Sequence, residues 1–189
     1  MTKQDQKQLL SLARESILHY LKTGESLKEE PKKYSKELTE KRGTFVTLTI
    51  DGELRGCIGN IEPVLPVYAG VMENAINAAF RDPRFNQLEQ DEYEKIDIEI
   101  SILTKPKNLE YKGADDLIKK LKPDKDGVII SKNGYSATFL PQVWEQIKSS
   151  EDFLSHLCIK CGLLANEWKK GDLKVQTYEV ESFDEKIFD

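Results

Sequence analysis

A chain of 189 residues with 39% hydrophobic and 32% charged residues and a net charge of −5 has the composition of a globular protein rather than a disordered one. The acidity and the lack of a basic arm argue against a nucleic-acid partner. No apolar run approaches the roughly 18 residues of a membrane span, and the opening Met-Thr-Lys-Gln-Asp-Gln-Lys is too polar for a signal peptide, so a cytoplasmic protein is expected. Three cysteines fit reduced thiols better than a disulfide framework, and the length fits one domain over residues 1–189 with one sizeable core.

The first predicted element is a helix that Thr2 or Asp5 caps, with Leu10, Ala13, Ile17 and Leu21 at helical spacing and Gly24 as a left-handed stop. Residues 25–42 dissolve into charges with one proline, which predicts an exposed connection and the best candidate for a flap. Residues 44–50 are rich in β-branched side chains, Asp51-Gly52 suits a two-residue type I′ turn, and residues 53–59 return as the second strand of a hairpin. Pro63 and Pro66 break that strand. A helix then starts at Val67, with Tyr68, Val71, Met72, Ala75, Ile76 and Ala79 in one stripe, and it ends at Arg81-Asp82-Pro83-Arg84-Phe85, where proline forbids continuation. Residues 95–103 alternate without a fault, as a strand with one wet face does in an antiparallel sheet.

The second half follows a similar plan. After a short helix near residues 115–121, strands at 127–132 and 135–140 flank Asn133-Gly134, another type I′ signal. Helices are expected from Pro141 and over residues 151–161, and a final strand over 173–180. The order of hairpin, helix and strand, met twice, suggests an internal duplication with half-repeats at 44–103 and 127–180.

The densest chemistry is Leu54-Arg55-Gly56-Cys57-Ile58-Gly59-Asn60. In a regular strand residues 55 and 57 share a face, so Arg55 would stand beside the Cys57 thiol and favour the nucleophilic thiolate. The bland alternative is a small buried hydrophobe. Gly56 and Gly59 mark either a bulge or tight packing contact, or a close approach of ligand to backbone, and a bulge would undo the alternation. Arg81 and Arg84, three apart, suit a clamp on a carboxylate or phosphate with Asp82 holding one of them, or else a helix-stop device anchored by Phe85. Cys158 and Cys161 form a CxxC that, with Cys57 and His156, supplies four ligands by count. They fall late in a helical pattern with Phe153, Leu154 and Leu157, so neither a metal nor a redox role is expected, and no cofactor is implied.

The runs GTFVTLTIDGELRGCIGNIEP (43–63), AINAAFRDPRF (75–85), IDIEISIL (96–103) and FLPQVWE (139–145) resemble the AMMECR family, whose hallmark is the LRGCIG run. The resemblance implies an α+β fold: a central antiparallel sheet, flanking helices and a smaller subdomain. It also resembles the A component of AmmeMemoRadiSam systems, which implies Memo-like or radical SAM proteins as partners, but no established activity. Two functions follow, the first favoured and the second its alternative. One is a binding module or accessory protein in which Arg55, Gly56, Gly59, Arg81, Asp82 and Arg84 hold a small anionic ligand or a protein partner. The other is an enzyme or enzyme subunit with Cys57 as nucleophile, Arg55 activating it and Arg84 holding an anionic substrate group. Neither His19 nor His156 is tied to Cys57 as a base. Arg55, Cys57 and Arg84 would border one pocket only if the helix after the hairpin folds back across its own sheet.

Overall fold

The local signals act first at α1, Lys3–Thr23, where Thr2 and Asp5 form a reciprocal capping box and Gly24, at φ 72°, ends the helix. The computed structural model describes residues 1–188, with side chains through Lys186. Strands β1 (Thr44–Ile50) and β2 (Glu53–Asn60) meet at a turn whose Asp51 and Gly52 both have positive φ, 52° and 84°, as a type I′ turn requires. Helix α2 (Val67–Phe80), the short α3 (Gln90–Tyr93) and β3 (Ile96–Leu103) follow, with β1 paired antiparallel to both β2 and β3. The alternation works as expected: Val46, Leu48, Ile98 and Ile100 are fully buried and pack with Leu9, Ala13 and Ile17 of α1 and Val71 and Ala75 of α2. Thr47 and Glu99 therefore point away from that core.

The connection over residues 25–42 is less loose than a flap. Tyr34 stacks on Tyr68 with ring centroids 4.4 Å apart, and Leu38 is fully buried. The Glu40 and Leu38 carbonyls accept hydrogen bonds from the Val67 and Tyr68 N–H groups, 2.9 and 3.1 Å, which satisfies the first donors of α2 in place of a side-chain cap.

Later in the chain come β4 (Lys107–Asn108), α4 (Ala114–Lys120), β5 (Gly127–Lys132), β6 (Tyr135–Phe139), α5 (Ser150–Lys160) and β7 (Lys174–Tyr178). Asn133 and Gly134 repeat the positive-φ pair of the first hairpin. The helix expected from Pro141 is a 3-10 turn, Pro141–Glu145. The final strand is interrupted at Glu179: β7 ends, and β8 (Val180–Asp184) joins the first sheet beside β3. The sheets thus have the orders β2-β1-β3-β8 and β4-β7-β5-β6, and in each the first strand of the hairpin lies between its partner and the strand that follows the next helix. Helices flank antiparallel sheets, the α+β class expected.

Two compact units emerge, Met1–Leu103 with the chain's end from Glu181, and Thr104–Val180. Buried apolar side chains form two clusters, where one core was expected. The second gathers Trp144, Phe153, Leu157, Cys158 and Trp168 around Val128 and Ile130. Among the described residues no helix is long and apolar enough to cross a membrane.

Candidate active site at the β2 edge

Strand β2 does not run regularly. Thr49 pairs with Leu54, but Leu48 pairs with Gly56, so Arg55 is the extra residue of a β-bulge. A turn at Asp51-Gly52 with unbroken pairing would set Cys57 opposite Val46, on the core face. The bulge shifts the register by one and sets Cys57 opposite Thr47, on the other face. The thiol is consequently half-buried rather than sealed in the core, and the Thr47 hydroxyl lies 3.3 Å from its sulfur.

The end of α2 fixes this point. At Gly56 a side chain would collide with the Ala78 carbonyl, so glycine lets the helix terminus rest directly on β2. Gly59 similarly leaves its side-chain space to the Phe45 ring. Both glycines make tight packing contacts, one of the alternatives that their spacing left open. Pro83 prevents the helix from continuing and Asp82 arrives beside Cys57.

Because β2 is an edge strand, Cys57 turns its N–H and C=O away from β1. The Cys57 N–H donates to Asp82 Oδ2 at 2.9 Å, and Arg84 Nη2 donates to the Cys57 carbonyl at 3.2 Å. Asp82 and Arg84 are themselves joined by three bonds: Nη2 to Oδ2 at 2.7 Å, Nε to Oδ1 at 3.0 Å, and the Arg84 N–H to Oδ1 at 3.1 Å. The Asp82 carboxyl is buried, and hydrogen bonding from Arg84 first, then from the Cys57 and Arg84 N–H groups, holds it far below the usual carboxylate range despite burial.

Arg55 does not stand beside the thiol, because the bulge sends it elsewhere. It binds Glu92 through both carboxylate oxygens, 2.7 and 2.8 Å, and donates to the Asn86 carbonyl at 3.1 Å. This pairing draws Glu92 down to about 2. The Arg55 and Arg84 guanidinium groups both lie over the Phe85 ring, 5.8 and 5.5 Å from its centroid. A cavity of about 460 Å³ borders Arg55, but Glu89, Asp91 and Glu92 line it as well, a poor setting for an anion. Arg81 faces a different cleft, with Tyr68, Met72 and Ile76, and donates to Asn77 Oδ1 at 3.0 Å and the Tyr20 hydroxyl at 3.4 Å. Arg81 and Arg84 therefore make no common clamp. The CxxC pair is buried in the second core, where burial pushes both thiols up, and His156 is exposed with Nδ1 2.8 Å from the Asp152 carbonyl. Among the described residues no group of His, Cys, Asp or Glu is placed to hold a metal.

The site as built coincides with the runs that carry the family resemblance. The family model AMMECR1 matches residues 10–183. The chain belongs to the AMMECR1 family. Among curated relatives, Protein MK0488 of Methanopyrus kandleri is 39% identical, covering 98% of this chain and 90% of its own length, and Protein PYRAB00100 of Pyrococcus abyssi is 40% identical, covering 94% and 88%. The crystal structure of the uncharacterized protein PH0010 from Pyrococcus horikoshii superposes with a TM-score of 0.80 at 37% identity, over 98% of this chain and 93% of that one.

Within this AMMECR1 fold, two residues of the site escape a reading of the sequence. Thr47 touches the sulfur, and Glu99 is its partner on the next strand, on the same face. Glu99 is half-buried, and burial first and then Asp184 raise its carboxyl above the ordinary range. The signal available was the strand alternation itself, which puts Thr47 and Glu99 on one face, but the bulge had to be known before Cys57 could be added to them.

Proposed function

We propose that this AMMECR1 protein works through Cys57, as an enzyme or enzyme subunit whose thiol attacks an electrophilic small molecule in a reducing, cytoplasmic setting. The observation that carries the reading is the double clamp on the Cys57 backbone: a buried carboxylate and an arginine hold its N–H and C=O, while the bulge turns its side chain off the core. The clamp fixes the backbone of the residue that carries the thiol, and so the position of the sulfur. The fixed position favours a nucleophile, whose reacting atoms gain from pre-paid orientation.

The anion-binding module has less support. The two guanidinium groups over Phe85 are already neutralised, Arg55 by Glu92 and Arg84 by Asp82, so a free anion would meet no surplus positive charge there. Memo-like or radical SAM partners remain compatible with a thiol enzyme and add nothing to its geometry.

Native protein treated with iodoacetamide at pH 7 and mapped by peptide mass spectrometry tests the proposal. Cys57 is expected to be alkylated at least as fast as glutathione under the same conditions, with Cys158 and Cys161 protected until denaturation. A Cys57 that reacts only after unfolding would sink it.

A further inference from the structure

The outer face of the first sheet carries a row of reactive side chains that no histidine completes. Cys57 on β2, Thr47 on β1 and Glu99 on β3 are consecutive cross-strand partners, and Asp184 on β8 is the next charged group along the row. Since Cys57 directs its N–H and C=O outward to Asp82 and Arg84, its pairing with Thr47 is of the non-hydrogen-bonded kind. In that arrangement the Cα atoms approach to about 4.5 Å and side chains lie closest. The 3.3 Å contact between the Thr47 hydroxyl and Cys57 Sγ follows from it. On the other side, Thr47 and Glu99 form the hydrogen-bonded kind of pair, with Cα atoms about 5.5 Å apart; no hydrogen bond joins their side chains in this structure, and the glutamate has to swing toward the hydroxyl to take the proton.

We infer that Glu99 is the proton acceptor for Cys57 and that the Thr47 hydroxyl carries the proton between them; this rests on the reading of Cys57 as the working thiol. The step balances as follows. Cys57 S–H gives its proton to Thr47 Oγ1 while Thr47 O–H gives its own to the Glu99 carboxylate. The hydroxyl, now bearing the proton from sulfur, donates to the thiolate, the same contact with its polarity reversed, as a rotating hydroxyl permits. With iodoacetamide as the electrophile, the sulfur lone pair forms an S–C bond, the C–I bond breaks and iodide leaves, with the proton held on Glu99 until water takes it.

The surroundings suit Glu99 to the task. Burial and the Asp184 carboxyl both disfavour its charged form, and among the described residues no cation pairs with it. Asp97, two residues back on the same strand, is paired with Lys186 at 2.9 Å. A carboxyl raised in this way accepts a proton near neutrality more readily than an ordinary glutamate. The row therefore supplies the base that the two histidines do not.

The test is the pH profile of Cys57 alkylation by iodoacetamide in native wild type, Glu99→Gln, Thr47→Val and Thr47→Ser, each site mapped by mass spectrometry and each fold checked by its thermal transition. Loss of the base in Glu99→Gln and of the carrier in Thr47→Val is expected to slow alkylation at pH 7 by about tenfold and to remove the lower inflection of the profile, whereas Thr47→Ser keeps both. A Glu99→Gln profile that overlays the wild type overturns the inference and leaves Cys57 as the working thiol. So does a loss in Thr47→Val that Glu99→Gln does not share. A wild-type Cys57 that stays unmodified in the native state overturns the thiol reading and this inference together. Because Val keeps the shape of Thr without its hydroxyl and Ser keeps the hydroxyl without the methyl, their contrast isolates the hydroxyl even if Glu99→Gln fails to fold.

Discussion

Asp82→Ala removes the acceptor that holds the Cys57 N–H and the partner of Arg84, and the size of the effect can be worked from the bonds lost. The Cys57 N–H, bonded at 2.9 Å to a buried carboxylate, is left without an acceptor at a cost of about 1–3 kcal/mol. The pairing with Arg84 adds little, because that side chain is 54% exposed and water screens it. The total is about 1–3 kcal/mol, which at a urea slope of about 2 kcal/mol/M moves the midpoint down by about 0.5–1.5 M. Asp82→Asn, which keeps one acceptor oxygen, is expected to lose roughly half as much. The pH dependence has a definite sign. The folded value of Asp82 lies below its unfolded value of 3.8, so its stabilisation is complete above that value and fades as pH falls through it toward the folded one. Wild type and Asp82→Ala should therefore converge in strong acid. Urea denaturation of both proteins at neutral pH and at pH 3 decides the matter. An Asp82→Ala stability within about 0.5 kcal/mol of wild type at neutral pH, or a difference that does not shrink in acid, would refute the reasoning.

Other expectations follow from neighbouring contacts. Arg55→Ala should destabilise by about 1–2 kcal/mol through loss of the two-pronged Glu92 pair while leaving Cys57 alkylation unchanged; a large drop in alkylation would mean that Arg55 does act on the thiol. The Glu92 contribution, with the folded value lowered from 4.5 to about 2, should be lost as pH falls through that window in wild type and be missing from Arg55→Ala, as acid titrations of stability would record. Gly56→Ala forces a methyl into the Ala78 carbonyl and should cost about 3 kcal/mol by urea denaturation; a neutral result would show that α2 is free to shift. Protein purified without chelator should contain no stoichiometric zinc by elemental analysis, and zinc that disappears in Cys158→Ser would contradict the helical packing of that pair.

The hairpins, the helix ending before Pro83 and the alternating β3 were legible because each rests on a local rule: positive φ at Asp51-Gly52 and Asn133-Gly134, a missing donor at proline, side chains of period two. The bulge at Arg55 was legible only as one of the alternatives that Gly56 and Gly59 left open, since the strand pattern does not say whether or where the register slips. That single unpaired residue moved Arg55 away from the thiol, moved Cys57 off the core face and brought it to Thr47, so one extra residue undid an argument that holds for a regular strand. The division of residues 173–184 into two strands shows only as slips in the alternation, from Leu173 and Val175 to Tyr178 and then to Phe183, and a slip does not by itself name a change of sheet. Asp82 was read as a brace for Arg84, which it is, but its bond to a backbone N–H twenty-five residues earlier leaves no mark on sequence spacing.

The clamp on Cys57 also bears on how the molecule meets other chains. β2 is the outer strand of its sheet, and an outer strand with free N–H and C=O groups is a template for strand addition, whether by a peptide ligand or by another unfolding copy. Asp82 and Arg84 occupy the donor and acceptor that such a strand would use at Cys57, and the bulge two residues earlier spoils the spacing of the next pair. A polypeptide cannot dock here as a fifth strand without first prising a buried carboxylate from its arginine, so the sheet is closed to edgewise growth at the one place where it carries a thiol.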